Sequence, residues 1–170
     1  METKKMIINA ILIAIGVILH VISPSLGLAA QPDFALAMLF IVMLLNKDYK
    51  TTLFSGIIIG IFTALTTKTV GGQLPNIIDK IITCNVMFLI LALLRDKVSK
   101  NLQSIILMFL GTFLSGVVFL SSLALIYGIQ GYIVTPILVI VIPTALINTV
   151  FGLIIYKIVL RVLRQINFKM

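Results

Sequence analysis

From Asn101 to Tyr156 the chain carries no charged side chain. A water-soluble fold of 170 residues cannot hide so much apolar chain, because its surface-to-volume ratio forces much of the sequence outward. A bilayer can. At roughly 20 residues per membrane-spanning helix, this stretch holds two spans, broken at YGIQGYIVTP (127–136). The remainder follows the same plan. Met6 to Ala30 is uncharged, with Pro24 and Gly27 interrupting its end, and further charge-free runs cover 34–46, 51–67 and 81–94. Only 11% of residues are charged, against about a quarter in a soluble domain, and mean hydropathy is +1.24. The sequence predicts an all-α integral membrane protein with six transmembrane helices. Five is the alternative count, because the second and fourth uncharged runs are short. No repeat, low-complexity tail or linker divides the chain, so residues 1–170 are expected to form a single compact helical bundle.

The net charge of +8 does not point to nucleic acid, because the charges lie in short clusters between apolar runs, as in membrane-protein loops. Six spans put both termini on one side. Lys4, Lys5, Lys47, Lys50, Arg95, Lys97, Lys100, Lys157, Arg161, Arg164 and Lys169 then share that side, leaving only Lys68 and Lys80 on the other. The positive-inside rule makes both termini cytoplasmic. METKK before an apolar run resembles a signal peptide, but no small-x-small cleavage site follows, so it is read as the first span. Lipid is the solvent such a surface requires, and a multi-pass place in a membrane is expected.

Against this background TTKTVGGQLPNIIDK (66–80) stands out, with two lysines, an aspartate, Asn76, Gln73, two glycines and a proline. Pro75 marks a helix start. Asn76, Lys80, Thr83 and Met87 then share one face, with Asp79 beside it. The uncharged remainder, 81–94, is only about 21 Å long, which puts Asp79 and Lys80 near the outer membrane boundary. Ionisable residues there either serve a ligand or reach for water. Adjacent helix residues point about 100° apart, so the two are not expected to pair face to face. Asp33, after Gln31-Pro32, reads either as a second ligand group or as the N-cap of helix 2. An acidic and a basic group at neighbouring outer helix ends suit a zwitterion. His20 is read as satisfying local polar groups rather than as a ligand. Tyr127 and Tyr132, flanking Gln130, line an aromatic pocket or form an interfacial belt. Gly71-Gly72 permits a loop that folds over something, though no Walker pattern follows.

Small residues recur at helical spacing: Ala10 and Ala14 in helix 1, Gly56 and Gly60 in helix 3, and Gly111, Ser115 and Gly116 in helix 5. Such spacing lets helices approach closely. Only the helix 1 pair suggests an external partner. Enzymatic motifs (HExxH, GxSxG, paired aspartates) are lacking, and one histidine with one cysteine cannot assemble a usual zinc site, so neither catalysis nor a cofactor or metal is expected. Cys84 reads as a small packing residue.

GGQLPNIIDK (71–80), with ALTT (64–67) before it and Asp33 after Gln31-Pro32, resembles the bacterial tryptophan transporter family of the TrpP type. GTFLSGVVFLS (111–121), PTALINT (143–149) and IIYKIVLRVLR (154–164) extend the resemblance along nearly the whole chain. It implies a substrate-binding subunit similar to the S components of energy-coupling factor (ECF) transporters, which work with a membrane coupling protein and two cytoplasmic ATPases. In S components an Ala-x-x-x-Ala motif on helix 1 meets the coupling protein, and Ala10 and Ala14 match it. Tryptophan as substrate implies its carboxylate on Lys80 with Asn76 and Gln73 nearby, its ammonium on Asp79 or Asp33, and its indole against Phe34, Phe119 and Tyr127. Asn148 would hydrogen-bond the indole N–H or bridge helices. The alternatives are an S component for a vitamin or another aromatic amino acid, and a non-transport membrane scaffold.

Overall fold

The computed structural model describes residues 2–23, 32–128 and 134–168, and within them the chain forms six main helices, a three-residue helical turn (Val134–Pro136) and no strand. The six are α1 (Glu2–Ile22), α2 (Phe34–Leu45), α3 (Tyr49–Leu65), α4 (Gln73–Leu94), α5 (Lys100–Tyr127) and α6 (Ile142–Gln165). A π-helical stretch, Ile137–Val141, runs directly into α6. Side-chain caps fix three of the starts: Asp33, Asp48 and Ser99 accept the N–H groups of Leu36, Thr51 and Leu102. Gly128, in the left-handed region at φ 64°, ends α5.

Four helices are long and apolar enough to cross a membrane: α1, α4, α5, and α6 with its π-helical lead-in. The other two are shorter, at 12 residues for α2 and 17 for α3. The fourth helix is longer than its uncharged run suggests. It spans 22 residues because its polar first two turns, with Asn76, Asp79 and Lys80, are buried among other helices rather than left in water.

Helix α2 is the axis of the fold. Every residue from Ala35 to Met43 is buried. A helix lying on a surface buries one stripe, whereas all-round burial requires neighbours on every side; α1, α3, α5 and α6 all contact it. Small residues on the neighbours make the close approaches possible. Gly16 of α1 lies against Met38 and Ala35, and Gly111 of α5 against the ring of Phe40. Gly56 faces Cys84, which is buried as the packing residue expected, and Gly60 faces Ile77 and Lys80. The glycines of α3 and α5 are therefore internal contacts. Ala10 and Ala14 are exposed, on a helix whose outer face carries Met6, Ile7, Ile11, Ile15 and Ile18.

One end of α2 is closed by polar groups. The Arg95 guanidinium donates to the carbonyls of Met43 (3.1 Å) and Asn46 (2.7 Å), and the Asn46 amide donates to Asn9 Oδ1 (2.9 Å). A cation on the last carbonyls of a helix satisfies orphan acceptors and opposes the negative end of the macrodipole. The opposite end of α2 opens into a cavity.

Candidate functional site

Asp33, Asp79 and Lys80 converge at the start of α2. Lys80 is 2% exposed and Asp79 1%, so both ions are out of contact with solvent. The Lys80 ammonium donates to Asp79 Oδ2 at 2.7 Å, pairs with Asp33 Oδ2 at 2.9 Å, and donates to Ser115 Oγ at 3.3 Å. The expectation that Asp79 and Lys80 cannot pair is overturned. Their Cβ atoms diverge, but the four-carbon lysine stem brings the ammonium back to the neighbouring carboxylate. Both residues lie inside the bundle, buried among other helices. Burial of ions is sustainable only where each is paired and hydrogen-bonded, and the Thr83 hydroxyl completes the set on Asp79 Oδ1 at 3.3 Å.

Asp33 is the N-cap foreseen for it, and it also pairs with Lys80. Its Oδ1 accepts the Leu36 N–H at 3.0 Å, capping α2, while Oδ2 meets Lys80. His20 Nδ1 lies 3.3 Å from Asp33 Oδ1, so the histidine read as satisfying local groups is part of the cluster. Asn148 fixes Asp33 from behind. It accepts the Asp33 N–H at 2.8 Å and donates to the Asp33 carbonyl at 3.2 Å and to Thr112 Oγ1 at 3.2 Å.

The cluster forms one wall of a cavity of about 320 Å³, within the range of roughly 300–1,000 Å³ typical of small-molecule sites. His20, Asp33, Asn76, Asp79, Lys80, Thr112, Ser115 and Thr144 contribute polar groups. Leu36, Phe119, Leu120, Leu123, Ile140 and Val141 supply an apolar side. Thr67, Lys68 and Thr69 of the α3–α4 loop lie at the margin. That loop is shaped by Gly71, at φ 74°, whose missing Cβ leaves room for the Tyr127 ring.

Of the expected site residues, Asp33, Asn76, Asp79, Lys80 and Phe119 line the cavity. The others lie elsewhere. Gln73 is exposed at the first position of α4. Phe34 packs edge-on against Phe151 at 5.8 Å. Tyr127 is 54% exposed and contacts Gly71 rather than the cavity, and Asn148 sits behind Asp33. Gln130 and Tyr132 fall outside the described residues. Sequence reasoning missed Ser115 as a ligand of the ammonium, having read it as a packing residue, and gave no role to Lys68 or to the wall of Ile140 and Val141. The π-helical stretch that carries those two has no distinguishing composition, although such stretches are frequent at functional sites. Among the described residues no group of three or more His, Cys, Asp or Glu side chains is arranged to hold a metal ion.

This arrangement can bind a small molecule with charged and apolar parts, inside a multi-pass bacterial membrane protein. No solved structure matches the chain. A probable tryptophan transport protein of Clostridium perfringens is 47% identical over 96% of this chain and 95% of its own length. Proteins of the same description from Clostridium acetobutylicum (41%) and Bacillus subtilis (42%) match 98% and 99% of this chain, each over 97% of its own length. All are described as transport proteins, in agreement with a sequence that carries no enzymatic motif. The family model for the tryptophan transporter TrpP matches residues 2–164, so the chain belongs to the TrpP family.

Proposed function

We propose that this chain binds tryptophan in the Asp33–Lys80 cavity and mediates its uptake across the bacterial cytoplasmic membrane. The observation that carries this reading is the composition of one cavity. A buried ionic cluster suited to an amino-acid head group lies beside an apolar side containing Phe119, Leu120 and Val141, suited to an indole. The names of its relatives agree with it.

In the same reading the chain is the S component of an ECF-type transporter. It has six transmembrane helices with both termini in the cytoplasm, and it is driven by a membrane coupling protein and two cytoplasmic ATPases. The bias of Lys and Arg toward one side supports the orientation. The exposure of Ala10 and Ala14 on the apolar face of α1 supports a helix-to-helix contact with the coupling protein.

Two measurements test the proposal. Purified chain in detergent is titrated with tryptophan, tyrosine, phenylalanine and a panel of vitamins, with ligand fluorescence as one readout, since the chain has no Trp. Saturable binding of tryptophan above the other ligands is expected, and binding of a vitamin instead would overturn the substrate. Uptake is then measured with and without the coupling protein and ATPases. Full concentrative uptake by the chain alone would overturn the S-component role.

A further inference from the structure

We propose that Lys68, and not Lys80, is the cation that meets the carboxylate of the substrate, while Asp33 receives its ammonium. This deepens the tryptophan-binding reading and rests on it.

Lys80 is already committed. An ammonium has three N–H donors, and those of Lys80 face Asp33, Asp79 and Ser115. An arriving carboxylate would have to displace one of these, leaving a buried group uncompensated, which is among the costlier changes inside a protein. Asp33 and Asp79 bring two carboxylates to the single Lys80 ammonium. That is an environment for an ammonium. Asp33 is the acceptor within reach, since its side chain is 17% exposed against 1% for Asp79.

Lys68 has the opposite character. It lines the cavity, and its ammonium donates to one backbone carbonyl, that of Ser23, at 2.9 Å. Among the described residues no carboxylate pairs with it. It is also held in place. The Thr69 N–H donates to Thr67 Oγ1 (3.3 Å), the Gly72 N–H donates to the Thr69 carbonyl (2.9 Å), and Gly71 seats against Tyr127.

The two groups meet at one end of α1: His20, in its last turn, contacts Asp33, and the carbonyl of Ser23, just past its end, accepts from Lys68. The ammonium and carboxylate of an α-amino acid share one carbon, so their partners must lie a few ångströms apart. Lys68 stands at one group and the carboxylate-rich cluster at the other.

The test compares tryptophan with tryptamine, which keeps the indole and ammonium but lacks the carboxylate, on purified wild-type, Lys68→Met and Lys68→Arg chains. Wild type is expected to prefer tryptophan. Lys68→Met should weaken tryptophan on the order of 10- to 100-fold, as for a lost charge-assisted hydrogen bond, and tryptamine far less. Lys68→Arg should retain much of the preference. An unchanged ratio in Lys68→Met overturns the assignment whether both ligands weaken, as a cap on α1 alone would give, or neither does. Wild type that binds no tryptophan removes the transport reading and this assignment together, so the two failures are distinguishable.

Discussion

Replacing Lys80 by Met removes the single cation between two carboxylates while keeping the bulk of the side chain. Breaking a buried pair by deleting one partner costs about 3–5 kcal/mol, because the remaining charge is left uncompensated in a poorly polarisable surround. The structure identifies which charge suffers. Asp33 keeps the Leu36 N–H, the His20 contact and some exposure. Asp79 is 1% exposed and keeps the Thr83 hydroxyl at 3.3 Å. One hydrogen bond to a charged group contributes about 1.5–3 kcal/mol, too little to hold a carboxylate at that depth. Neutralising Asp79 in the Lys80→Met background should therefore recover stability, although Asp79→Asn alone, which deprives Lys80 of its shortest contact, should destabilise. The coupling between the two changes is expected to be favourable by about 2 kcal/mol or more, within the span seen for contacting residues. Asp33→Asn in the same background should recover less. Thermal unfolding in detergent, followed by helical circular dichroism and by retention of the monodisperse size-exclusion peak, measures all the variants alike. Lys80→Met as stable as wild type would refute the reasoning, as would a double variant no better than Lys80→Met.

Two further predictions use other contacts. Asn148→Leu strips the partner from the Asp33 N–H, a loss of about 1–3 kcal/mol. If Asn148 acts by positioning Asp33, tryptophan and its benzothiophene analogue, which lacks the ring N–H, should weaken together; selective loss of tryptophan would instead assign Asn148 to the indole. Gly111→Ala gains about 1 kcal/mol of helix propensity, but its Cβ enters the ring of the fully buried Phe40. Overpacking of that kind costs about 1–3 kcal/mol, so net destabilisation in thermal unfolding is expected. Phe40→Leu in the Gly111→Ala background should relieve it, and failure of that relief would show that the contact is not the cause.

The helices could be read from charge-free runs because lipid leaves the backbone few options but to bond to itself. The site could be read only in part. Asp33, Asn76, Asp79 and Lys80 are visible as polar groups where hydrocarbon should be, and burial of ions is costly enough that their presence in an apolar run is informative. Ser115 gave no such signal. A hydroxyl in a membrane helix commonly bonds back to its own backbone, as Thr63 does to the Ile59 carbonyl at 2.9 Å, and only the position of Lys80 across the bundle separates the two uses. Tyr127 and Phe34 failed as pocket residues for a related reason. An aromatic side chain at a helix end fits a pocket, a lipid boundary or a neighbouring ring equally well, and sequence alone does not say which way it turns.

The length of α2 also explains why the cavity lies where it does. Twelve residues rise about 18 Å, whereas a hydrocarbon core is about 30 Å thick. Burial on all sides puts this short helix at the centre of the bundle, and Arg95 with Asn9 pins its C-terminal end. The deficit of length therefore falls at the N-terminal end. There α5 and the π-helical lead-in to α6 continue past the first turn of α2 and line the cavity. Leu36 and Asp33 form the floor of that space. The Leu36 N–H of the first turn donates to the Asp33 carboxylate, a charge that the positive end of the macrodipole favours there. Once Asp33 is fixed by the helix start, a cation is needed beneath it, and Lys80 fills that need with Asp79 completing the pairing. On this reasoning the ionic cluster belongs to the construction of the bundle as much as to ligand binding. In the proposed assignment the residue that answers the substrate carboxylate is Lys68, on the α3–α4 loop, whose only protein partner among the described residues is the Ser23 carbonyl.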